Sequence, residues 1–413
     1  MERRVVVTGL GLISPLGNSV KANWEAAVAG RSGIGPITRF DASRLQTRFA
    51  GEVRDFDPGT VMDPKDARRY DPFIHYALGA ATEAVQDSGL TFEGELAERT
   101  GVVFGSGMGG LEGIVENALI LQERGPRRIS PFFVPRCIIN TTAGLISMKY
   151  GVYGPNYGTV SACASAGHAI ADAMHIIRRG DADVMITGGS EATITELAFA
   201  GFNSAKALST RNDDPQGASR PFDVDRDGFV MSEGAGCLIL EELEHARRRG
   251  ARIYAELAGA GMSGDAYHIT APHPEGLGAV LAMKGALRSA RLNPEDVSYI
   301  NAHATSTDLG DVQESKAIEQ VFGDHARKLA VSGTKSMHGH LLGAAGAIES
   351  VLTVLSLYHQ VLLPTINLHQ PDPECRLDYV PHTAREAKGV EAALCNNFGF
   401  GGTNVSLAFR RFA

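Results

Sequence analysis

The cysteine at position 163 lies where an apolar strand pattern gives way to a helical one. Residues 157–162 predict a short strand, and apolar residues recur at helical spacing from Ala166 to a basic last turn and a glycine stop at Gly180. At a helix N-terminus, unpaired backbone N–H groups and the helix dipole favour a thiolate, the nucleophilic form of cysteine. The alternative is a small buried cysteine without a chemical role, which is the more frequent use of a free cysteine. This segment alone leaves the two interpretations about equal.

Two histidines far downstream each follow a predicted strand. His303 follows residues 297–302, and His340 follows residues 329–333. Both stand in loops rich in Gly, Ser and Thr, where α/β proteins place chemical groups. A lone histidine is more often a surface or core residue, and the chain contains 13 of them. Their position in two such loops nevertheless favours a chemical role for both.

A third segment, Cys395-Asn-Asn-Phe-Gly-Phe400-Gly-Gly-Thr-Asn404, stands near the C-terminus. With the Cys163 segment and the two histidine loops, in this order and at these separations, the chain resembles the β-ketoacyl-acyl carrier protein synthases of fatty acid synthesis. Among these Cys-His-His condensing enzymes it is most similar to the synthase II group. The resemblance extends from the first predicted strand, residues 5–9, to the final one.

The resemblance implies a fold. It is the thiolase-like α/β fold, a duplicated αβαβα arrangement in five layers. Residues 1–250 are then the N-terminal half with the nucleophile, and residues 251–413 are the C-terminal half with the two histidines. A charged stretch near position 250 is a plausible boundary, although no sequence repeat between the halves is readable.

The resemblance also implies a decarboxylative Claisen condensation. Cys163 would carry the acyl group, and malonyl carrier would lose carbon dioxide to give an enolate. His303 and His340 would donate from Nε2 to the enolate oxygen, and the backbone N–H groups of Cys163 and Phe400 would form a second oxyanion hole. The product would be longer by two carbons.

Lys335 and Glu349 are predicted to form a partly buried pair. Glu349 lies within an apolar helical segment, where an unpaired carboxylate would be costly. In the family, the pair orders the active site. The alternative, a salt bridge that ties a strand to a helix, is compatible with that role.

Substrate contacts are likewise implied by the resemblance. Thr305 and Thr307 would hydrogen-bond the pantetheine arm. The other residues expected to bind substrate are Met108, Phe202, Phe398 and Asn404. The chain departs from common family residues at Ala304, where many members have Gly, at Asp308, where Pro is common, and at His338, where Thr is common. His338 raises the possibility of a shifted hydrogen-bond network around His340, but we do not expect it to be catalytic.

Basic residues cluster on a protein whose net charge is −8. A solvated charged face is the default interpretation of such clusters. Because carrier proteins of this pathway are acidic and the family docks them near these positions, we favour docking of acyl carrier protein with its phosphopantetheine-bound acyl and malonyl groups. The residues concerned are Lys65, Arg68, Arg69, Arg127, Arg128 and Lys206.

The chemistry requires no metal or organic cofactor. The family can bind a monovalent cation, and a structural K⁺ or Na⁺ is therefore possible here. The residues that match its site are Asn301, Ala302, Glu349, Cys395 and Asn396. The resemblance also implies a homodimer.

Composition excludes several classes of protein. The 413 residues, 44% hydrophobic and 21% charged, are typical of a soluble globular protein, and the negative net charge gives no overall attraction to nucleic acid or membrane. Five cysteines without a CxxC pair indicate free thiols in a reducing compartment. The chain enters a strand without a signal-like segment, so we expect a bacterial cytoplasmic location, or alternatively a mitochondrion or plastid. Residues 341–357 predict a core helix, because they are few for a bilayer and include Glu349.

Predicted strands alternate with helices along the chain, which indicates an α/β architecture. Residues 215–226, rich in Pro, Gly, Ser and Asp, predict a surface loop. Residues 105–110 match GxGxxG, but a dinucleotide site needs an acidic residue that closes a second strand about 20 residues later. Glu123 is in that range within a stretch that looks helical, so we disfavour dinucleotide binding.

Three rival functions follow from the same residues. A polyketide ketosynthase would share the superfamily, but the overall likeness to fatty acid synthases disfavours it. A catalytically inactive chain-length partner would lack the nucleophile at Cys163. A Cys-His thioester hydrolase would need neither a second histidine nor malonyl chemistry.

Overall fold

The structure is a computed structural model that describes residues 3–412. The strands are β1 Val5–Ile13, β2 Gly35–Pro36, β3 Phe49–Ala50, β4 Thr100–Gly105, β5 Asn156–Thr159, β6 Val184–Glu191, β7 Gly234–Glu242, β8 Ala255–Gly264, β9 Tyr299–Asn301, β10 Ala330–Ser332, β11 Val361–Leu362, β12 Arg385–Glu386, β13 Ala392–Gly399 and β14 Thr403–Arg411. The α-helices are α1 Val20–Val28, α2 Pro64–Ala67, α3 Pro72–Ser88, α4 Gly94–Glu98, α5 Leu111–Arg124, α6 Phe133–Cys137, α7 Thr141–Tyr150, α8 Ser165–Arg179, α9 Glu196–Ser204, α10 Leu243–Arg248, α11 Leu277–Ala290, α12 Asp308–Phe322, α13 Lys335–His338 and α14 Ala345–His359.

The main sheet consists of two halves that have the same strand topology. Its strand order is β10-β9-β13-β14-β8-β1-β7-β6-β4-β5. From the central pair outward, the first half reads β1-β7-β6-β4-β5 and the second half reads β8-β14-β13-β9-β10. If the strands of each half are numbered along the chain, both halves have the same order: first, fifth, fourth, second, third. The same topology in both halves matches the duplicated fold that the resemblance implied, although the sequence shows no repeat.

Helices form three layers around the two halves of the sheet. α3 covers β1, β7 and β6 on one outer side, and α11 covers β8 and β14 on the other. α8 and α14 pack against each other and against strands of both halves. The result is the predicted five-layered αβαβα arrangement.

The fold gathers loops from both halves at one place. In the first half β4, β5 and β6 are parallel, and in the second half β9, β10 and β13 are parallel. Loops that follow the carboxyl ends of parallel strands are the usual position of a binding site in α/β proteins. Cys163 follows β5, His303 follows β9, and His340 follows β10.

The apolar helix near position 350 is a core helix, as predicted. The stretch Leu342–His359 is long and apolar enough to span a membrane by composition, but 89% of it is buried inside the protein. Its packing between the two halves of the sheet explains that composition.

The prediction of a surface loop at residues 215–226 is wrong, because much of this segment is buried. The Arg226 side chain is 6% exposed and donates to the carbonyl oxygens of Asp223 (2.8 Å) and Thr307 (2.9 Å). Phe222 stacks on Tyr379 with ring centroids 3.9 Å apart. The polar residues that suggested a loop in solvent therefore have their partners inside the protein.

Candidate active site

Cys163 stands on a tight turn between β5 and α8. β5 ends at Thr159, a 3₁₀ turn spans Ala162–Ala164, and α8 begins at Ser165. Ala162 has a left-handed φ of 49°, which turns the chain sharply ahead of the cysteine. The Ser165 hydroxyl fixes the turn by donating to the Ala162 carbonyl at 2.7 Å. The strand-to-helix junction predicted at Cys163 is present, with the strand shorter than expected.

The two histidines meet Cys163 at the bottom of a cavity. Nε2 of His340 lies 3.0 Å from Sγ of Cys163. The imidazole rings of His303 and His340 are nearly perpendicular, with centroids 5.4 Å apart. All three side chains are at most 9% exposed. Cys163 therefore forms one compact cluster with two histidines that lie 140 and 177 positions further along the chain.

Burial controls the protonation of this cluster. It raises the pKa of the Cys163 thiol to about 11, although the charge of Lys335 acts in the opposite direction. The expectation of a resting thiolate is therefore wrong, because loss of solvation outweighs the favourable charge and the helix terminus. Burial, reinforced by the Lys335 charge, also holds the pKa values of His303 and His340 well below their usual range. Both imidazoles are consequently neutral at pH 7.

Two backbone N–H groups point towards the sulfur. Hydrogen bonding from the N–H groups of Phe400 and Cys163 works against burial and lowers the pKa of the Cys163 thiol. These are the two groups expected to form an oxyanion hole. Phe400 itself is 40% exposed, at the start of a turn in which Gly401 and Gly402 have φ values of 85° and 70°. An oxygen on a carbon bonded to Sγ would have both donors within reach.

Lys335 and Glu349 form a fully buried ion pair. Lys335 begins α13 just after β10, and Glu349 lies in the second turn of α14. The other carboxylate oxygen of Glu349 accepts a hydrogen bond from Nδ2 of Asn397 at 2.7 Å. Burial raises the pKa of Glu349 to about 7 despite the attraction of Lys335. The pair joins α13, the short helix after β10, to α14, and it also places a positive charge close to the cysteine and the histidines.

A glutamate that the sequence analysis did not identify holds the His303 loop. Glu314, on the buried face of α12, accepts hydrogen bonds from the backbone N–H groups of His303 (2.9 Å) and Ala304 (2.8 Å). Ala304 and Ser306 have left-handed φ values of 34° and 67°. The available signal was an acidic residue at helical spacing from the apolar Ala317, Ile318 and Val321 in the helix after His303.

A second unpredicted glutamate joins the two halves of the site. Glu191, the last residue of β6, accepts hydrogen bonds from the N–H groups of Gly107 (2.7 Å), Met108 (3.2 Å) and Gly343 (2.9 Å). A side chain at Gly343 would collide with the backbone of Gly107, only 2.1 Å from its Cβ position. The available signal was a single charged residue at the end of an otherwise uncharged strand.

The turn that carries His340 is fixed on both sides. The N–H of His340 donates to the carbonyl of Val230 at 2.7 Å, and Phe229, which the sequence analysis also missed, packs edge-on against its ring. His338 is fully buried, with Nδ1 at 2.8 Å from the carbonyl of Gly339 and Nε2 at 3.2 Å from the Thr334 hydroxyl. Burial lowers the pKa of His338 to about 3, so it is neutral and supports the turn.

The cavity above the cluster has a volume of about 510 Å³. Thr305 and Thr307 face each other there, with their hydroxyl oxygens 3.0 Å apart. Asn404 donates to Asp265 at 2.7 Å. The predicted substrate or carrier residues that line the cavity are Met108, Phe202, Lys206, Thr305, Thr307, Phe398 and Asn404.

The other predicted docking residues lie outside the cavity on the exposed surface. Lys65, Arg68 and Arg69, which we call the α2 basic cluster, lie in and just after α2, and Arg127 and Arg128 lie in a turn after α5. The guanidinium of Arg69 lies over the ring of Phe132, 4.4 Å from its centroid. That contact brings the α2 basic cluster next to the segment that follows Arg128.

The five predicted cation residues are all buried, and the side-chain oxygens of three of them accept hydrogen bonds within the protein. The Asn301 amide oxygen accepts from Thr334 at 3.1 Å, and the Asn396 amide oxygen accepts from Ser406 at 2.8 Å. The two oxygens of Glu349 accept from Lys335 and Asn397. The K⁺ or Na⁺ site stays a prediction.

Residues 111–124 form the helix α5, so Glu123 does not close a strand and the GxGxxG match lacks the second strand that a dinucleotide site requires at that position.

The geometry of the site defines a class of protein. A thiol, two neutral imidazoles and two backbone donors at the sulfur, on a thiolase-like fold, are the parts of an acyl-transferring condensing enzyme.

Comparison with known proteins places the chain within that class. The Beta-ketoacyl synthase N-terminal domain matches residues 2–246, and the Beta-ketoacyl synthase C-terminal domain matches residues 254–369. The chain therefore belongs to the β-ketoacyl synthase family.

Individual relatives agree with this assignment. The 3-oxoacyl-[acyl-carrier-protein] synthase 2 of Coxiella burnetii is 54% identical over 410 residues, which cover 99% of each chain. The protein of that name from Synechocystis is 54% identical over 411 residues, 100% of this chain and 99% of its own. A type II polyketide ketosynthase, solved in complex with its acyl carrier protein, superimposes with a TM-score of 0.93 at 35% identity, with all of both chains covered.

Proposed function

We propose that this protein is a 3-oxoacyl-[acyl-carrier-protein] synthase that elongates fatty acyl chains by two carbons. The observation that carries the proposal is the contact between Cys163 and His340, with His303 beside them, at the bottom of a cavity lined by the residues of the family motifs. Relatives of the synthase 2 group, at 54% identity over the full chain, support the fatty acid assignment.

In the first half-reaction, Sγ of Cys163 attacks the thioester carbonyl of an acyl carrier. The sulfur proton passes to Nε2 of His340, 3.0 Å away, and from there to the departing carrier thiol. The tetrahedral oxygen is held by the N–H groups of Cys163 and Phe400. The products are acyl-Cys163 and free carrier thiol.

In the second half-reaction, malonyl carrier binds next to the acyl-enzyme and loses carbon dioxide. The electron pair of the broken C–C bond forms an enolate, whose oxygen accepts hydrogen bonds from His303 and His340. His340 acts in this step as the neutral tautomer with its proton on Nε2, whereas the first half-reaction uses the tautomer with its proton on Nδ1. Neutral imidazoles suit this role, because each keeps an N–H to donate without a net charge that would need a counterion in a buried site. The enolate carbon then attacks acyl-Cys163, and the C–S bond breaks with the sulfur leaving as a thiolate. One proton taken up from solvent restores the thiol.

The partner proposed for both steps is acyl carrier protein. The exposed arginines and lysines outside the cavity, together with Lys206 at its mouth, suit an acidic carrier whose arm enters the cavity. The similar ketosynthase solved with an acyl carrier protein supports this kind of partner. The hydroxyls of Thr305 and Thr307 line the cavity, and besides their contact with each other they can hydrogen-bond the amides of a pantetheine arm.

We propose that the protein is a homodimer joined through β5. Within the described residues, β5 pairs only with β4, so its other edge ends the sheet. Neighbouring apolar side chains are exposed, with Val160 61%, Met148 78% and Tyr153 76% accessible. An unpaired strand edge beside exposed apolar groups is typical of a surface that another chain covers. The bacterial cytoplasmic location stays a prediction.

The discriminating experiment is intact-mass analysis after sequential mixing with acyl carrier and malonyl carrier. The protein should gain one acyl group on Cys163 and then lose it, with release of a 3-oxoacyl carrier two carbons longer. Release of a free fatty acid with no elongated product would indicate a thioester hydrolase and would overturn the proposal. Elongation through several cycles without reduction would favour a polyketide ketosynthase.

A further inference from the structure

Three metal-binding side chains converge at the bottom of the cavity. Sγ of Cys163, one ring nitrogen of His303 and one of His340 all lie within 4.8 Å of one another. Among residues 3–412, this is the one set of three Cys, His, Asp or Glu side chains with such a spacing. We propose that the resting enzyme binds one Zn²⁺ through Cys163, His303 and His340, and that the bound ion inhibits it.

The donor set selects zinc. Thiolate and imidazole are the ligands that Zn²⁺ prefers, whereas Mg²⁺ and Ca²⁺ require oxygen ligands. Zn–S bonds of about 2.3 Å and Zn–N bonds of about 2.0 Å place tetrahedral ligand atoms roughly 3.3–3.6 Å apart. The sulfur lies 3.0 Å from Nε2 of His340. Side-chain movements of about 1 Å would therefore produce a tetrahedral arrangement, with the fourth position open to the cavity.

Zinc binding releases a single proton. Zinc displaces one proton, from the Cys163 thiol to solvent, and forms the Zn–S bond. Both imidazoles are already neutral, because burial and the nearby Lys335 disfavour their charged forms. Each offers a lone pair to the metal without losing a proton. The thiolate reduces the charge that the metal adds from +2 to +1.

The site suits a dissociable inhibitor rather than a structural metal. Metal-binding histidines normally donate their second ring N–H to an acceptor, which strengthens binding. Within the described residues, Nδ1 of His303 and Nδ1 of His340 have no such partner. The cavity gives the ion a route in and out, and we expect binding in the micromolar range.

Zinc binding and acylation exclude each other. An acyl group on Cys163 converts the sulfur into a thioester, which is a far poorer metal ligand than a thiolate. This consequence rests on the proposed acyl-Cys163 intermediate, whereas zinc binding to the resting protein does not.

The primary test uses zinc alone on the resting full-length protein. Equilibrium dialysis against ZnCl₂ should give one zinc per chain, and MgCl₂ should neither bind there nor compete. Zinc should slow alkylation of Cys163, measured by peptide mass spectrometry with Cys137 as the internal reference. A chelator should restore both alkylation and condensation.

Variants locate the ion. Cys163→Ser, His303→Ala and His340→Ala should each weaken zinc binding at least about tenfold, the loss that even indirect ligand contacts cause. Cys137→Ser, which alters the partly exposed cysteine outside the site, should bind zinc as the parent does. Unchanged binding in all three site variants would overturn the proposal and would point to surface histidines such as His369 and His382, which stack at 5.5 Å.

The acyl-enzyme gives a separate readout. Protein acylated in full on Cys163 should take up no zinc at this site, and zinc-loaded protein should not accept an acyl group. Equal zinc uptake by resting and acylated protein would overturn the proposal. Zinc binding to the resting protein can be measured even if the protein does not condense acyl and malonyl carriers. The zinc proposal and the proposed synthase function can therefore be refuted independently.

Discussion

Removing His303 and removing His340 should have different effects on the two half-reactions. Both imidazoles face the position of the enolate, but only His340 contacts the sulfur, at 3.0 Å from Nε2. His303→Ala should therefore leave self-acylation of Cys163 near the parent rate. His340→Ala should slow acylation as well, because the sulfur proton loses its acceptor.

The expected size follows from the number of donors. Deleting one donor of an oxyanion site costs about 10²–10³ in rate, or roughly 2.7–4 kcal/mol. Each single variant should thus decarboxylate malonyl carrier at least 100-fold more slowly than the parent. Cys163→Ala should retain measurable decarboxylation, because it keeps both imidazoles, yet it should accept no acyl group. In the parent, decarboxylation should stay level as the pH falls from 8 towards 6, because burial keeps both imidazoles neutral there.

The assays separate these effects. Release of labelled carbon dioxide from malonyl carrier reports the second half-reaction, and intact mass of the protein reports the first. His338→Asn, which changes a buried histidine of the same turn but keeps a donor for the Gly339 carbonyl, serves as a control for folding. Decarboxylation at the parent rate in both His303→Ala and His340→Ala would refute the assignment of the two imidazoles as enolate donors.

Four further predictions follow from the structure. Because burial raises the pKa of the Cys163 thiol to about 11, its alkylation by iodoacetamide should accelerate about tenfold per pH unit between pH 7 and 10, and a plateau near pH 7 would show that a thiolate exists at rest. Glu314→Gln should lower kcat at least about tenfold without changing self-acylation, because an amide N–H would face the His303 or Ala304 N–H; equal losses in both assays would indicate a folding defect. Reversing the α2 basic cluster to glutamates should raise KM for acyl carrier but not for acyl-coenzyme A, measured at low salt; an equal rise for both donors would argue against docking there. Met108→Phe, at the cavity wall, should retain short acyl donors of about six carbons and lose those of about sixteen, and a uniform decrease across donors would show that Met108 does not limit chain length.

Several elements of the fold could be predicted from local patterns. The predicted strands at 5–9, 101–105, 184–188 and 392–396 all lie within observed strands, and Gly180 ends α8 in a left-handed conformation. Apolar runs and stop signals depend on neighbouring residues, which a sequence displays directly. The segment 215–226 was predicted wrongly because its polar side chains have distant partners, such as Thr307 for Arg226.

The motif residues were identifiable from the sequence alone. The types and order of Cys163, His303 and His340 indicated thioester chemistry, and the resemblance gave a role to each. Glu191 and Glu314 were missed because they act through backbone N–H groups brought to them by folding. No spacing along the chain marks such an acceptor.

What the sequence by itself determined is therefore the set of reacting groups and the order of the elements that carry them. The tertiary structure decided their protonation and their geometry. The helix start after Cys163 suggested a thiolate, but the surrounding protein removes water from the sulfur and raises its pKa to about 11. Solvation depends on every atom packed around a group, and those atoms come from both halves of the duplicated fold. The physical reason is that burial and distance are properties of the packed chain, whereas residue type and local periodicity are properties of the sequence.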